Sequence, residues 1–156
     1  MTVHRRRPHQ MHIVVPSSEV EIHFHGPDED YQPYRNRIYL SLSDGSFVHV
    51  FDSDDDAEVE GFGADENRAT CNQIAEAPDS FIEIPRPSHG DVHDWLKRFL
   101  REGGRLSEYP HSIGRWLNSV DQEDKYAWRD FQALRLHEHV VAACDRAGVR
   151  LSILGR

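Results

Sequence analysis

Hydrophobic and polar positions alternate along the first part of the chain in the manner of short β-strands. Residues 11–15 are a mostly apolar run that ends at a proline, and residues 19–25 alternate strictly between apolar and polar side chains. On a strand, one face of the second segment would carry Val20, Ile22 and Phe24. The pattern predicts two adjacent strands, joined by a turn at the proline and the two serines between them.

The strongest strand signal is a hairpin over residues 37–51. Two segments rich in apolar residues flank Asp44 and Gly45, a pair that favours two-residue turns of the type that needs positive φ angles. A turn of that length sets the register, which pairs Leu42 with Phe47, Leu40 with His49 and Ile38 with Phe51. His49 would then lie on the core side of the sheet, where a structural role is expected. Residues 81–84 predict a further short strand.

The last part of the chain predicts three helices. Ser88 and Asp91 are spaced as the two halves of a capping box, and the apolar stripe that follows ends at a pair of glycines. A shorter helix over residues 113–120 and a long helix over residues 121–147 follow. The long helix has two apolar stripes on nearly opposite faces, which predicts one continuous helix between different packing partners; a kink near Leu134 is the alternative.

Strands followed by helices predict an α+β fold. An N-terminal antiparallel β-sheet, with its hairpin at Asp44 and Gly45, is expected to pack against three C-terminal helices. Residues 149–153 alternate as a last short strand. The length of 156 residues suits one domain, so we expect a flexible arm over residues 1–8 and a single domain over residues 9–156.

The negative charge of the protein comes from one segment. The chain carries 18 lysine and arginine residues against 27 aspartate and glutamate residues, a formal charge of −9. Residues 28–66 alone hold 12 acidic and two basic residues, so the rest of the chain is almost balanced. Residues 52–66 are expected to form an acidic loop, followed by a short helix over residues 68–77. Such a segment is either a solvated loop or a surface for a cation or a basic partner.

We expect the acidic segment to bind a basic protein partner, because complementary charge speeds association and rejects wrong partners. The residues expected to do so follow the hairpin directly: Asp52, Asp54, Asp55, Asp56, Glu58 and Glu60. The same run begins like a calcium-binding loop. It departs from one at Ala57, where the loop requires glycine, and at Gly63, where the bidentate glutamate should be.

His23 and His25 are the alternative candidate site. On the predicted strand their imidazoles would point to the same face and could bind a transition metal, with Asp28 or Glu21 as a third donor. That arrangement would suit a metal-dependent enzyme. A second His-x-His pair, in the long helix, is excluded because positions i and i+2 of a helix point about 200° apart.

Composition disfavours several other functions. Three adjacent arginines near the start are too few to predict nucleic-acid binding, and no apolar run approaches the ~20 residues of a membrane span. The first ten residues lack the apolar stretch of a secretory signal, and Cys71 and Cys144 lack CxxC spacing. We therefore expect a cytoplasmic protein with reduced cysteines. Glycine-rich phosphate loops, dinucleotide fingerprints and nucleophile elbows are absent from the sequence, so no cofactor is expected.

Over residues 37–151 the chain resembles a bacterial family of small uncharacterised acidic α+β proteins. The resemblance rests on a strand pattern that ends in a proline at residues 81–85, an amphipathic aromatic helix around residues 95–99, and an aromatic-rich closing helix from residues 126–131. It departs at residues 113–118, where the family tends to be more basic and aromatic. Since that family has no assigned function, the resemblance implies a fold and not an activity.

These observations predict a non-catalytic binding or regulatory protein of the kind that neutralises a toxin, such as an immunity protein or an antitoxin. Aromatic residues of the helical half could also form the face of a homodimer. The chain has 11 histidines that would offset the acidic charge on protonation. We therefore expect binding or self-association to change between about pH 7 and 5.5.

Overall fold

The computed structural model describes residues 11–24 and 36–155, which form five β-strands and six α-helices. In chain order they are β1 (Met11–Pro16), α1 (Ser17–His23), β2 (Asn36–Ser41), β3 (Phe47–Phe51), α2 (Asp54–Val59), α3 (Ala64–Glu76), β4 (Phe81–Ile84), α4 (His89–Glu102), α5 (Ile113–Ser119), α6 (Gln122–Arg146) and β5 (Val149–Leu154). This mixture confirms the α+β class. The arm predicted at residues 1–8 lies outside the described residues. No helix in the described ranges is long and apolar enough to cross a membrane.

The strands form two sheets instead of one. β3, β2 and β4 make an antiparallel sheet with β2 in the middle, and β1 pairs with β5 in a parallel sheet. The parallel pair joins the first described strand to the last and sets Met11 opposite Val149. The prediction of a single N-terminal sheet was wrong in this respect. A hydrophobic pattern identifies a strand but not its partner, and parallel partners are far apart in sequence.

The segment predicted as the second strand is a helix. Val20 in α1 and Phe24 at its C-cap are four positions apart, and both are fully buried. Ile22, which a strand would turn to the same face, is 69% exposed. The strand predicted over residues 19–25 was therefore wrong. Alternation could not separate the two structures, because a spacing of four residues fits both a period of two and one helical turn.

The hairpin between β2 and β3 is present, but its loop is longer than predicted. Ile38 lies opposite His49, a shift of two residues from the predicted register. Gly45 has a φ of 73°, but no non-glycine residue in the described ranges has a positive φ, so Asp44 and Gly45 do not form the predicted turn type. The Gly45 N–H donates instead to the Ser41 carbonyl at 2.9 Å. Because side chains alternate with a period of two, this shift leaves the same face buried.

Residues 52–66 are largely helical, which corrects the predicted loop. α2 begins after Ser53, whose hydroxyl oxygen accepts a hydrogen bond from the Asp56 N–H at 3.1 Å. Aspartates in its first turn stabilise the positive end of the helix dipole. Asn67, on α3, is buried and exchanges two hydrogen bonds with the backbone of Phe51, at 2.9 and 3.2 Å. The acidic segment is thereby anchored on the end of β3.

The helical half forms as predicted. α4 begins with a complete capping box between Ser88 and Asp91. α6 is one continuous helix of 25 residues, as its two apolar stripes predicted, and not a helix with a kink near Leu134. Near its start, Trp128 packs in a cluster with α4 and α5, while Leu136 and Val140 pack further along in a cluster with both sheets. The two stripes therefore face two different parts of the core.

Candidate functional site

The six residues predicted to bind a partner lie close together in the structure. Asp52 directly follows β3, four of the others belong to α2, and Glu60 is its C-cap. We name this set the acidic surface: Asp52, Asp54, Asp55, Asp56, Glu58 and Glu60. The fold thus presents these carboxylates on one short helix and its two ends, while their role in binding stays a prediction.

Two arginines reduce the charge at one edge of the acidic surface. Arg37 approaches Asp52 at 3.4 Å, and Arg68 approaches Asp54 at 3.4 Å. All four side chains are exposed to solvent by 45–68%, and exposed pairs of this kind contribute only about 0–1 kcal/mol to stability. Most of the negative charge that the acidic surface presents to solvent comes from exposed side chains that have no ion pair within the described part of the chain: Asp55, Glu58 and Glu60.

An exposed apolar side chain lies among these carboxylates. Val59 is 82% exposed, next to Glu58 and four positions after Asp55 on α2. Phe62, at 37% exposure, packs against Phe51 with the ring centroids 5.1 Å apart. An apolar centre within a polar rim is the composition of many protein–protein interfaces.

The strand predicted to carry the metal ligands His23 and His25 does not form at His23, which lies on α1. His25 lies outside the described residues, so the metal site itself stays a prediction. Both ring nitrogens of His23 are engaged, Nδ1 with His49 at 2.7 Å and Nε2 with Glu19 at 3.1 Å. Across the residues that the structure describes, no group of three or more His, Cys, Asp or Glu side chains is arranged to hold a metal ion.

His23 belongs instead to a chain of hydrogen-bonded side chains that links α1, β2, β3 and the segment after β4. Arg86 donates to Asn36 at 3.0 Å, Asn36 contacts His49 at 2.6 Å, and the contacts to His23 and Glu19 complete the series. We name these five residues the polar chain. Its direction is determined at one end, because a guanidinium can only donate. Asn36 must therefore accept from Arg86 through its oxygen and donate to His49 through its nitrogen.

The same reasoning assigns the tautomers of both histidines. His49 Nδ1 accepts from Asn36, so a neutral His49 carries its proton on Nε2 and donates it to His23 Nδ1. His23 then donates its own Nε2 proton to the carboxylate of Glu19. A further proton on His49 Nδ1 would face the amide N–H of Asn36. The polar chain is therefore complete only while His49 is neutral.

Burial favours that neutral form. Removal from water, with smaller electrostatic contributions from His23 and Arg86, lowers the pKa of His49 to about 4. The His49 ring lies 4.9 Å from the His23 ring and 5.4 Å from the ring of Phe62. His49 lies on the same side of the sheet as buried Ile38, as predicted.

The Arg86 end of the polar chain opens into a surface groove. Asn36 and Arg86 both line a cavity of about 340 Å³ between the start of β2, the end of β4 and the start of α4. Buried Ile38 and Ile84 also line it, together with exposed Arg37. Its volume lies at the small end of the range for ligand pockets, roughly 300–1,000 Å³. We name it the Arg86 groove.

Sequence reasoning identified two members of the polar chain but not the chain itself. His23 was assigned to a metal site and His49 to the core, whereas Asn36 and Arg86 were given no role. His23 and His49 are 26 positions apart, and only the packing of α1 beside β3 brings them together. One signal was available around Arg86, since the prolines on both sides of it restrict the local backbone.

Cys144 is fully buried, in the cluster of side chains that involves both sheets. Burial, with a smaller contribution from the charge of Asp145, raises the pKa of Cys144 to about 11. The thiol therefore stays protonated at neutral pH and is unsuited to act as a nucleophile.

Comparisons with protein-family models, with curated proteins and with solved structures found no match to this chain. The resemblance to a bacterial family of acidic proteins stays a prediction.

Proposed function

We propose that this chain is a non-catalytic intracellular protein that binds a basic protein partner through the acidic surface, as immunity proteins and antitoxins do. The observation that supports this proposal is an exposed apolar side chain among carboxylates: Val59 on α2 is exposed and lies beside Glu58 and near Asp55. Carboxylates in this position would attract lysines and arginines of a partner over several ångströms. Val59 would supply the apolar contact that persists after docking.

Charge and apolar contact have separate effects in such a complex. Exposed carboxylates mainly raise the association rate, and this contribution weakens as salt screens the charges. A buried apolar contact mainly slows dissociation. We therefore expect neutralisation of the carboxylates to change the association rate and the salt dependence, and truncation of Val59 to change the dissociation rate.

The support beneath α2 is already ordered in the unbound protein. Ser53 caps the helix, Asn67 ties the following helix to Phe51, and the ring of Phe62 packs against the ring of Phe51. A partner would therefore meet a preformed surface, and little of the binding free energy would be spent on ordering it.

The first test compares two variants that lose the same number of negative charges. One carries D55N, E58Q and E60Q on the acidic surface, and the control carries E76Q, D79N and E123Q at exposed positions elsewhere. Each is used as bait in an extract of the source cells, and bound proteins are eluted with salt and identified by mass spectrometry. We expect the wild type and the control to retain the same basic protein. We expect about tenfold less of it on the acidic-surface variant.

The dissociation rate gives a second measurement on the partner so identified. Val59→Ser removes the apolar contact without changing the net charge, and it should speed dissociation about fivefold or more. Equal retention of the partner by all baits, or retention of acidic proteins alone, would refute the proposal.

A further inference from the structure

We propose that the hydrogen-bonded pair of His23 and His49 is a pH-sensitive switch, which holds the C-terminal end of α2 in place at neutral pH and releases it in acid. The released end carries Glu58 and Glu60 of the acidic surface together with exposed Val59. The switch is a property of the free protein. Its consequence for a partner, weaker binding in acid, rests on the proposed function.

The polar chain has no place for one more proton on this pair. When both rings are neutral, His49 accepts from Asn36 through Nδ1 and donates to His23 through Nε2. A proton added to His49 Nδ1 would face the N–H of Asn36, and a proton added to His23 Nδ1 would face the N–H of His49. Protonation of either ring therefore breaks a contact that the neutral pair makes, at 2.6 Å to Asn36 or at 2.7 Å between the rings.

The groups around His49 also disfavour a positive charge on its ring. Burial contributes most to its low pKa, and His23 on α1 and Arg86 after β4 contribute less in the same direction. Glu19, the carboxylate of the polar chain, contacts the other nitrogen of His23 and not His49. The contacts of His49 on β2 and after α2 are with uncharged side chains. In the described part of the chain, no carboxylate is therefore in contact with a protonated His49.

The His49 ring also packs beside the segment that ends α2. Its centroid lies 5.4 Å from that of Phe62, which in turn lies 5.1 Å from that of Phe51. Phe62 is thus held between a ring that stays apolar at all pH values and a ring that gains a charge in acid. A shift of the His49 ring away from Asn36 or His23 would remove one of the two aromatic contacts of Phe62.

Phe62 in turn closes the last turn of α2. The Phe62 N–H donates to the Ala57 carbonyl at 2.8 Å, and the Gly61 N–H donates to the Glu58 carbonyl at 3.1 Å. With a φ of 82° at Gly61, these are the two bonds of a Schellman motif, which satisfies the last carbonyls of a helix. α2 has six residues, too few for a helix that is stable alone. Elements with few buried contacts open at a low cost in free energy, so loss of the Phe62 contact should shift α2 towards an open state.

Hydrogen exchange of the Phe62 amide measures the switch in the free, full chain. Protection is compared between about pH 7 and 4.5, after correction for the pH dependence of the exchange chemistry itself. The Val120 amide is the reference, because it ends the similarly short α5 by donating to the Trp116 carbonyl at 3.2 Å. The open state takes up a proton that the closed state excludes, so acid favours opening. We expect protection of the Phe62 amide to fall about tenfold or more relative to that of Val120.

Three variants separate the histidine pair from the carboxylates on α2. His49→Gln keeps one acceptor and one donor but takes up no proton, so most of the relative fall should disappear. His111→Gln, at an exposed position outside the polar chain, is the control for the loss of a histidine side chain. Phe62→Leu leaves both histidines in place and removes the ring contact. It should flatten the pH dependence at residue 62 even if His49→Gln misfolds.

Three results would overturn the proposal. The first is protection of the Phe62 amide that falls no more in acid than protection of the Val120 amide. The second is an equal relative fall in His49→Gln and His111→Gln, which would assign the effect to groups other than His49. The third is an unchanged relative fall in Phe62→Leu. A switch that operates in a chain that retains no basic partner would instead refute the proposed function alone.

Discussion

At the scale of single residues, each member of the polar chain has a distinct role as a hydrogen-bond donor or acceptor. Asn36 can accept from Arg86 and donate to His49 at the same time, which neither an ionised carboxylate nor an alkyl side chain can do. We expected histidines to titrate between about pH 7 and 5.5, but a pKa of about 4 places His49 below that range.

Acid should destabilise the fold through His49. Its pKa is about 4 in the folded protein and close to 6.5 without burial, so only the unfolded state takes up a proton between these values. The contribution of neutral, buried His49 to the free energy of unfolding is fully present above about pH 6.5 and is lost as the pH falls towards 4. The free energy of unfolding should therefore decrease by at most about 1.4 kcal/mol per pH unit over this range from His49 alone.

Urea unfolding at a series of pH values measures this dependence. The contribution of His49 is the difference between the wild type and His49→Gln, because other titrating groups are common to both. His111→Gln, at an exposed position outside the polar chain, is the control for the loss of a histidine side chain. A wild type and a His49→Gln variant with parallel pH profiles would contradict the low pKa of His49.

At the scale of elements, helices with capping residues and clear stripes were predictable, whereas short elements depended on their packing. α4 and α6 carry their own signals in Ser88, Asp91 and the apolar periodicity, and both form as expected. α1 has seven residues, too few for a helix to be stable alone. Burial of Val20 and Phe24 against the core decides its structure. The hairpin loop likewise differs from the turn predicted by Asp44 and Gly45.

Because α1 is a helix, substitutions at Val20 and Ile22 should have different effects on stability, whereas a strand would predict similar effects. Val20→Ala should lower the free energy of unfolding by about 1–3 kcal/mol, because Val20 is fully buried. Ile22→Ala should change it by less than about 0.5 kcal/mol, because Ile22 is 69% exposed. Chemical denaturation of both variants measures the difference. Similar losses at the two positions would favour a strand with both residues on its buried face.

At the scale of the whole molecule, α6 joins two clusters of buried side chains. Trp128 lies in the cluster with α4 and α5, where its ring is 5.6 Å from Phe99 and 6.2 Å from Trp116, centroid to centroid. Leu136 and Val140, further along the same helix, lie in the cluster with both sheets. A rigid helix shared in this way couples the two clusters, so they are expected to unfold together.

Trp128→Ala tests this coupling. Loss of the buried ring should reduce the free energy of unfolding by about 3–5 kcal/mol. Tyr126→Ala, at an exposed aromatic position on the same helix, should cost less than about 0.5 kcal/mol. Hydrogen exchange should show that amides of β1 and β5 lose protection to the same extent as those of α4. Strands that keep full protection while α4 loses it would show that the two clusters unfold independently.

The acidic surface and the Arg86 groove also meet at this scale. Arg37 lines the Arg86 groove and at the same time approaches Asp52 of the acidic surface. β2 carries Asn36 and Arg37, and β3 ends beside Asp52, so one hairpin supports both surfaces. Of these two features, the sequence predicted only the acidic segment. The Arg86 groove beside it combines residues of β2, β4 and the start of α4, which no local pattern connects.

The sequence by itself determined what depends on neighbouring residues: the α+β class, the capping box, the continuous α6, most strand positions and the location of the acidic segment. These features arise from periodicity, capping and composition, which act over a few residues. Only the tertiary structure decided which strands pair, that α1 is a helix, and that Arg86, Asn36, His49, His23 and Glu19 form one chain. Those outcomes depend on burial and on contacts between residues far apart in sequence. Burial and these long-range contacts stabilise the protein only once the core has formed.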